Sequence, residues 1–92
     1  MLAIPATARL SHLRHFTLLV DDRPEVPLRI AGTCLRRRGT VVALAFDRGL
    51  PGGAARLELS VEVEPEHADL LERRLAALVE VRSYLTSPAS RR

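Results

Sequence analysis

The chain has 92 residues, 47% hydrophobic and 27% charged, with a net charge of +3. That length holds one hydrophobic core, and that balance excludes disordered and fibrous chains. A lone cysteine, Cys34, excludes an internal disulfide and any paired-cysteine metal or redox motif. No apolar run approaches the ~20 residues that cross a bilayer. Met1 to His12 is interrupted by Arg9 and lacks the apolar stretch of a secretory signal. A cytoplasmic protein without a membrane partner is expected.

His15 to Val20 is a compact apolar run bounded by Asp21, Asp22 and Pro24, and it reads as a strand. Phe16, Leu18 and Val20 share one face, with Thr17 and Leu19 on the other. The period then changes. Pro27, Ile30, Ala31, Cys34 and Leu35 recur at helical spacing, which predicts one buried stripe. A proline is tolerated only in a first turn, so this helix is expected to open near Pro24, with Asp22 just outside it. Gly39 supplies the stop, and Arg36, Arg37 and Arg38 are cations at the negative helix end.

Thr40 to Phe46 is apolar on both faces and predicts a central strand covered on two sides. Gly49 to Gly53 is a turn. Ala55 to Glu64 alternates, with Ala55, Leu57, Leu59, Val61 and Val63 on one face and Arg56, Glu58, Ser60, Glu62 and Glu64 on the other. Pro65 opens a second helix whose buried stripe is Ala68, Leu71, Leu75 and Leu78. Val79 to Leu85 alternates again as a last strand. The folded domain is expected over 13–86, between flexible segments at 1–12 and 87–92. The order βαββαβ predicts an α+β, ferredoxin-like sandwich: a four-stranded antiparallel sheet with two helices on one face.

The fold hosts many functions, so chemistry must come from the residues. A base-stacking RNA-binding surface needs aromatics on the open sheet face, where this third strand offers Arg56, Glu58, Ser60 and Glu62. No nucleic-acid partner is expected. His12 and His15 are three apart at the start of a strand and point to opposite faces; His67 sits in a helical first turn. None has a nucleophile beside it in sequence. Asp21 and Asp22 are neighbours on an extended chain, a poor acid–base pair. Cys34 lies on a buried stripe and reads as a small core hydrophobe. Catalytic residues, metal ligands and a cofactor are therefore not expected in this chain.

What remains is the loop between the first strand and first helix. Val20-Asp-Asp-Arg-Pro-Glu-Val-Pro-Leu-Arg-Ile-Ala-Gly32, then Arg37-Arg-Gly-Thr-Val-Val42, then Leu71 to Val81 (LERRLAALVEV), resemble the ACT domain of the acetolactate synthase small subunit. That family runs as E-N-R-P-G-V-L-x-R-I/V-x-G, then R-R-G-F/Y-N-I/V, then L-x-x-Q-L-x-K-L-I/V-D-V. The match covers about Phe16 to Leu85. The resemblance implies a short, single-ACT regulatory subunit and a homodimer. Its partner would be the large, thiamine-diphosphate-dependent catalytic subunit. A stand-alone amino-acid-sensing or dimerising ACT module is the competing reading.

The resemblance also implies an effector pocket for a branched-chain amino acid at a dimer interface. It would be built from Asp22, Arg23, Pro24, Glu25, Val26 and Val41. Here Asp22 and Val41 replace the family's two asparagines, and Glu25 replaces its glycine. Two carboxylates then stand where the effector's carboxylate would dock, so a non-functional, valine-insensitive pocket is expected. Asp22 and Glu25 also have capping-box spacing, which predicts a structural role at the helix start.

Overall fold

A computed structural model describes residues 12–88. The elements are β1 (Leu13–Asp21), α1 (Val26–Arg36), β2 (Thr40–Leu50), β3 (Ala54–Glu62), α2 (Pro65–Ala76) and β4 (Val81–Pro88). All strands pair antiparallel in the order β2-β3-β1-β4. The expected βαββαβ sandwich is therefore the fold. Residues 1–11 and 89–92, part of the segments expected to be flexible, lie outside the described residues. Ser87 and Pro88, expected in the tail, instead complete β4. Among the described residues, no helix is long and apolar enough to cross a membrane.

Alternation builds the core. Phe16, Leu18 and Val20 of β1 and Leu57, Leu59 and Val61 of β3 are fully buried beneath the helices. Val26, Ile30 and Cys34 of α1 and Ala68, Leu71 and Leu75 of α2 close over them, with Leu78 packed at the edge. Dry surroundings push the Cys34 thiol from its ordinary value of 9.0 up to about 11. At neutral pH it carries no thiolate, and its role is packing.

Three expectations are corrected. β2 is not a central strand: it is an edge, and all but three of its residues are exposed. Its apolar character comes from Val41 and Phe46 against the core, with Val42 and Leu44 open to solvent. The stripe of α1 is rotated from the expected one, since Val26, Ile30, Thr33 and Cys34 are buried while Leu35 points outward. Thr33 is tolerated there because its hydroxyl donates to the Arg29 carbonyl at 3.0 Å.

The third correction concerns the helix stop. The left-handed residue after α1 is Arg38 (φ 69°), not Gly39. Arg38 N–H reaches the Leu35 carbonyl at 3.2 Å and Gly39 N–H the Cys34 carbonyl at 2.8 Å. This is a Schellman closure with an arginine at the position glycine prefers. Gly39 has another reason to be there: a Cβ on it would lie 2.7 Å from Val61 Cγ1. The chain must pass too close to β3 for any side chain.

Candidate effector site

The end of β1 is tied to the β2–β3 hairpin and to β4. Asp21 and Asp22 are neighbours on an extended strand, so their side chains diverge. Asp21 accepts from Arg82 Nε at 2.9 Å, and the same guanidinium donates to the carbonyls of Gly52 and Gly53 at 2.9 and 3.1 Å. Asp22 accepts from Arg48 Nε at 2.6 Å and from the backbone N–H of Gly49 at 3.1 Å. Its own N–H donates to the Gly53 carbonyl at 3.0 Å. Gly49, Gly52 and Gly53 all have positive φ, which lets the hairpin curl back onto these groups.

The Arg48 guanidinium, with help from the Gly49 N–H, holds the Asp22 carboxyl below its ordinary 3.8. A depressed carboxyl contributes stability above the unfolded-state value that is lost as pH falls through the lower folded-state one. Denaturant midpoints of the native protein should therefore fall more steeply below about pH 4 than those of Asp22→Asn. Parallel acid limbs would show that this latch adds nothing to stability.

Neither acid caps α1. The helix begins at Val26, two residues later than expected, because Pro24 and Glu25 form a turn and Pro27 already satisfies the first-turn rule. Glu25 is the N-cap residue, yet its side chain makes no capping bond and pairs with Arg23 Nε at 3.2 Å. The expected capping box is absent because the hairpin has taken Asp22. Of the N–H groups at the helix start, that of Val26 goes to the Arg23 carbonyl at 3.1 Å, and Pro27 has none.

Asp22, Arg23, Pro24, Glu25 and Val26 thus lie together at one end of the sheet. Val41 does not. It pairs with Val61, which pairs with Arg14, whereas Asp21 pairs with Ala54. The seven-residue offset along β1 corresponds to about 23 Å. A pocket using both the loop and Val41 must be completed by a second copy.

The histidines fall as follows. His12 precedes β1, and its carbonyl accepts the Val63 N–H at 2.9 Å. His67 is half-buried on α2, 3.9 Å from Glu66. His15 lies on the open sheet face with Nδ1 3.2 Å from Ser60 Oγ and Nε2 4.0 Å from Glu58. That contact was invisible in sequence because Ser60 is 45 residues away. It lacks the parts for acyl transfer: the acid is beyond hydrogen-bond reach, and the N–H groups of these two inner strands belong to the sheet. The third strand's open face presents Arg56, Glu58, Ser60 and Glu62, as expected. Among the described residues, no cluster of three His, Cys, Asp or Glu side chains could hold a metal ion.

Sequence reasoning missed Arg48 and Arg82, the residues that organise this end. No local signal marks them, since their partners are 26 and 61 residues distant.

No family model matches the chain, and no curated protein matches it. Solved structures do. The small subunit of acetolactate synthase from Thermotoga maritima superposes with a TM-score of 0.67 at 22% identity. That match covers 80% of this chain and 46% of the other, so the chain spans less than half of that subunit. The ACT domain of GTP pyrophosphokinase from Chlorobium tepidum gives a TM-score of 0.64 at 13% identity, over 82% of this chain and 96% of that one. The C-terminal domain of the MgtC protein from Mycobacterium tuberculosis gives 0.64 at 11%, covering 84% and 86%. At these identities the likeness is one of backbone. The chain has the ferredoxin-like fold found in ACT domains.

Proposed function

We propose that the chain is a regulatory ACT module that binds the large, thiamine-diphosphate-dependent subunit of acetolactate synthase and favours its active conformation. The observation that carries this reading is where the matching residues fall. The run Val20 to Gly32 occupies the end of β1, the loop and the first two turns of α1, and Arg37 to Val42 begins at the closure of that helix. The backbone likeness to the acetolactate synthase small subunit supports it. In this reading the chain supplies no catalytic group and no cofactor. A regulatory subunit shifts its partner's equilibrium only by binding one state better than the other. Added to a purified large subunit, the chain should raise acetolactate formation saturably and show no activity alone. An unchanged rate across the titration would favour the stand-alone ACT module.

Both readings include a homodimer, and β2 supports it. Thr40 to Phe46 carries no charge, is an outer strand and exposes Val42 (53%) and Leu44 (40%). Such an edge invites strand addition, whereas the opposite edge, β4, carries the charged Arg82, which discourages it. Antiparallel pairing of β2 with its own copy is self-complementary and closed. Light scattering at tens of micromolar should give a dimer for the native chain and a monomer for Val42→Lys. A native monomer would overturn this assembly.

A further inference from the structure

The outward face of α1 carries apolar residues that nothing in the chain covers. Leu28 is 77% exposed and Leu35 74%. Seven residues apart, they share one face about 10 Å apart along the helix. Gly32 lies between them. Its φ is not positive, and a Cβ there would meet only Arg36 Nη1, at an ordinary 3.5 Å. Neither backbone geometry nor internal packing requires a residue that is poor in helices. What the glycine does is leave open the floor of a groove of about 470 Å³, with Leu28 on one side and Leu78 on the other. Val79, 82% exposed, extends the Leu78 side.

The groove is also cationic. Arg29 and Arg36 line it beside Glu25, whose carboxylate Arg23 holds at 3.2 Å, and Arg37 and Arg38 follow at the helix end. Arg29 is held by Glu80 at 2.9 Å. Among the described residues, Arg36, Arg37 and Arg38 have no carboxylate partner, and Arg36 makes only a long 3.5 Å bond to the Thr33 hydroxyl. Exposed leucines, a notch and the unpaired Arg36 on one helix face, with Arg37 and Arg38 just beyond the helix end, specify the complement: apolar side chains flanked by acids.

We propose that this groove docks an acidic amphipathic helix of a partner protein. Its apolar side chains would seat over Gly32 between Leu28 and Leu78, and its carboxylates would meet Arg36 to Arg38. The assignment goes beyond the regulatory reading and holds whichever protein is regulated. A second copy fits less well. Its α2 offers Leu70 beside Glu66 and Asp69, but Arg73 and Arg74 one turn on would face the same cations.

The test uses the full, isotope-labelled chain and a synthetic helical peptide with leucines at i, i+4, i+7 and i+11 flanked by glutamates, against a version with lysines. Saturable shift changes should appear at Leu28, Arg29, Gly32, Leu35, Arg36 and Leu78. Affinity should drop roughly tenfold or more for the lysine peptide, and likewise on Arg36→Glu, Gly32→Leu and Leu28→Ser/Leu35→Ser. These positions are exposed or lie on the groove, and thermal melts check that each variant folds. No saturation at millimolar glutamate peptide, equal affinity for both peptides, or shifts centred on the open sheet face would each overturn the proposal. Concentration-dependent shifts at the same residues without peptide would overturn it too, by giving the groove to a second copy.

Discussion

Gly39→Ala should destabilise the protein by about 1–3 kcal/mol, the usual cost of forcing extra volume into a packed site. The new Cβ would sit 2.7 Å from Val61 Cγ1, 3.2 Å from the Cys34 carbonyl oxygen and 3.3 Å from Leu71 Cδ2. Val61 and Leu71 are themselves fully buried, and Val61 is too short and branched to swing aside. Only a shift of the Schellman closure relieves the contact, and that strains the bonds ending α1. The converse change is next door. Arg38 has φ 69°, so Arg38→Gly removes the cost of a left-handed side chain and should gain on the order of 0.5 kcal/mol after the entropy glycine adds to the unfolded chain. Thermal unfolding reads both, since about 1 kcal/mol moves the midpoint of a domain this size by roughly 4–8 °C. A neutral Gly39→Ala would mean that the helix end is looser than its hydrogen bonds indicate.

This junction shows what the sequence could and could not reveal. LRRRG announces a helix end, and a helix ends there. Which residue turns left and which must be small depends on the approach of Val61 in β3, 22 residues beyond Gly39, and no local pattern carries that. β2 is the same case at larger scale. Its uncharged run is legible as a strand, but an edge that exposes Val42 and a buried centre have one composition. The difference lies in pairing order, which follows from topology. By contrast the buried faces of β1 and β3, and Ala68, Leu71 and Leu75 of α2, were legible because alternation or helical period reports a buried face directly; Leu78, expected in the same stripe, lies past the end of α2 and is only partly buried. The candidate site was legible only as a loop. Its acids stood out as departures from the family pattern. Their guanidinium partners did not, because Arg48 and Arg82 arrive from a hairpin and a strand far along the chain.

Those partners decide the last expectation: millimolar valine should produce no saturable heat in calorimetry. A free amino acid has few atoms, and its affinity depends on satisfying both charged ends. In this loop Asp22 already holds Arg48 and Gly49, and Glu25 already holds Arg23. An incoming carboxylate would have to take a guanidinium from a resident one. The helix start offers little instead, since the Val26 N–H is bonded and Pro27 has no N–H. A side chain at Glu25 also keeps the ligand off the backbone where the family has glycine. A deficit of ~1–2 kcal/mol from these causes weakens binding roughly five- to thirtyfold. Glu25→Gly with Val41→Asn is the complementary experiment. Val41 lies at the other end of the same chain's sheet, about 23 Å from the loop. The double change can therefore restore a valine response only across a dimer interface, and Val42→Lys added to it should abolish any response gained. A micromolar dissociation constant for the native chain would overturn the expectation and require Asp22 and Glu25 to release their arginines on binding.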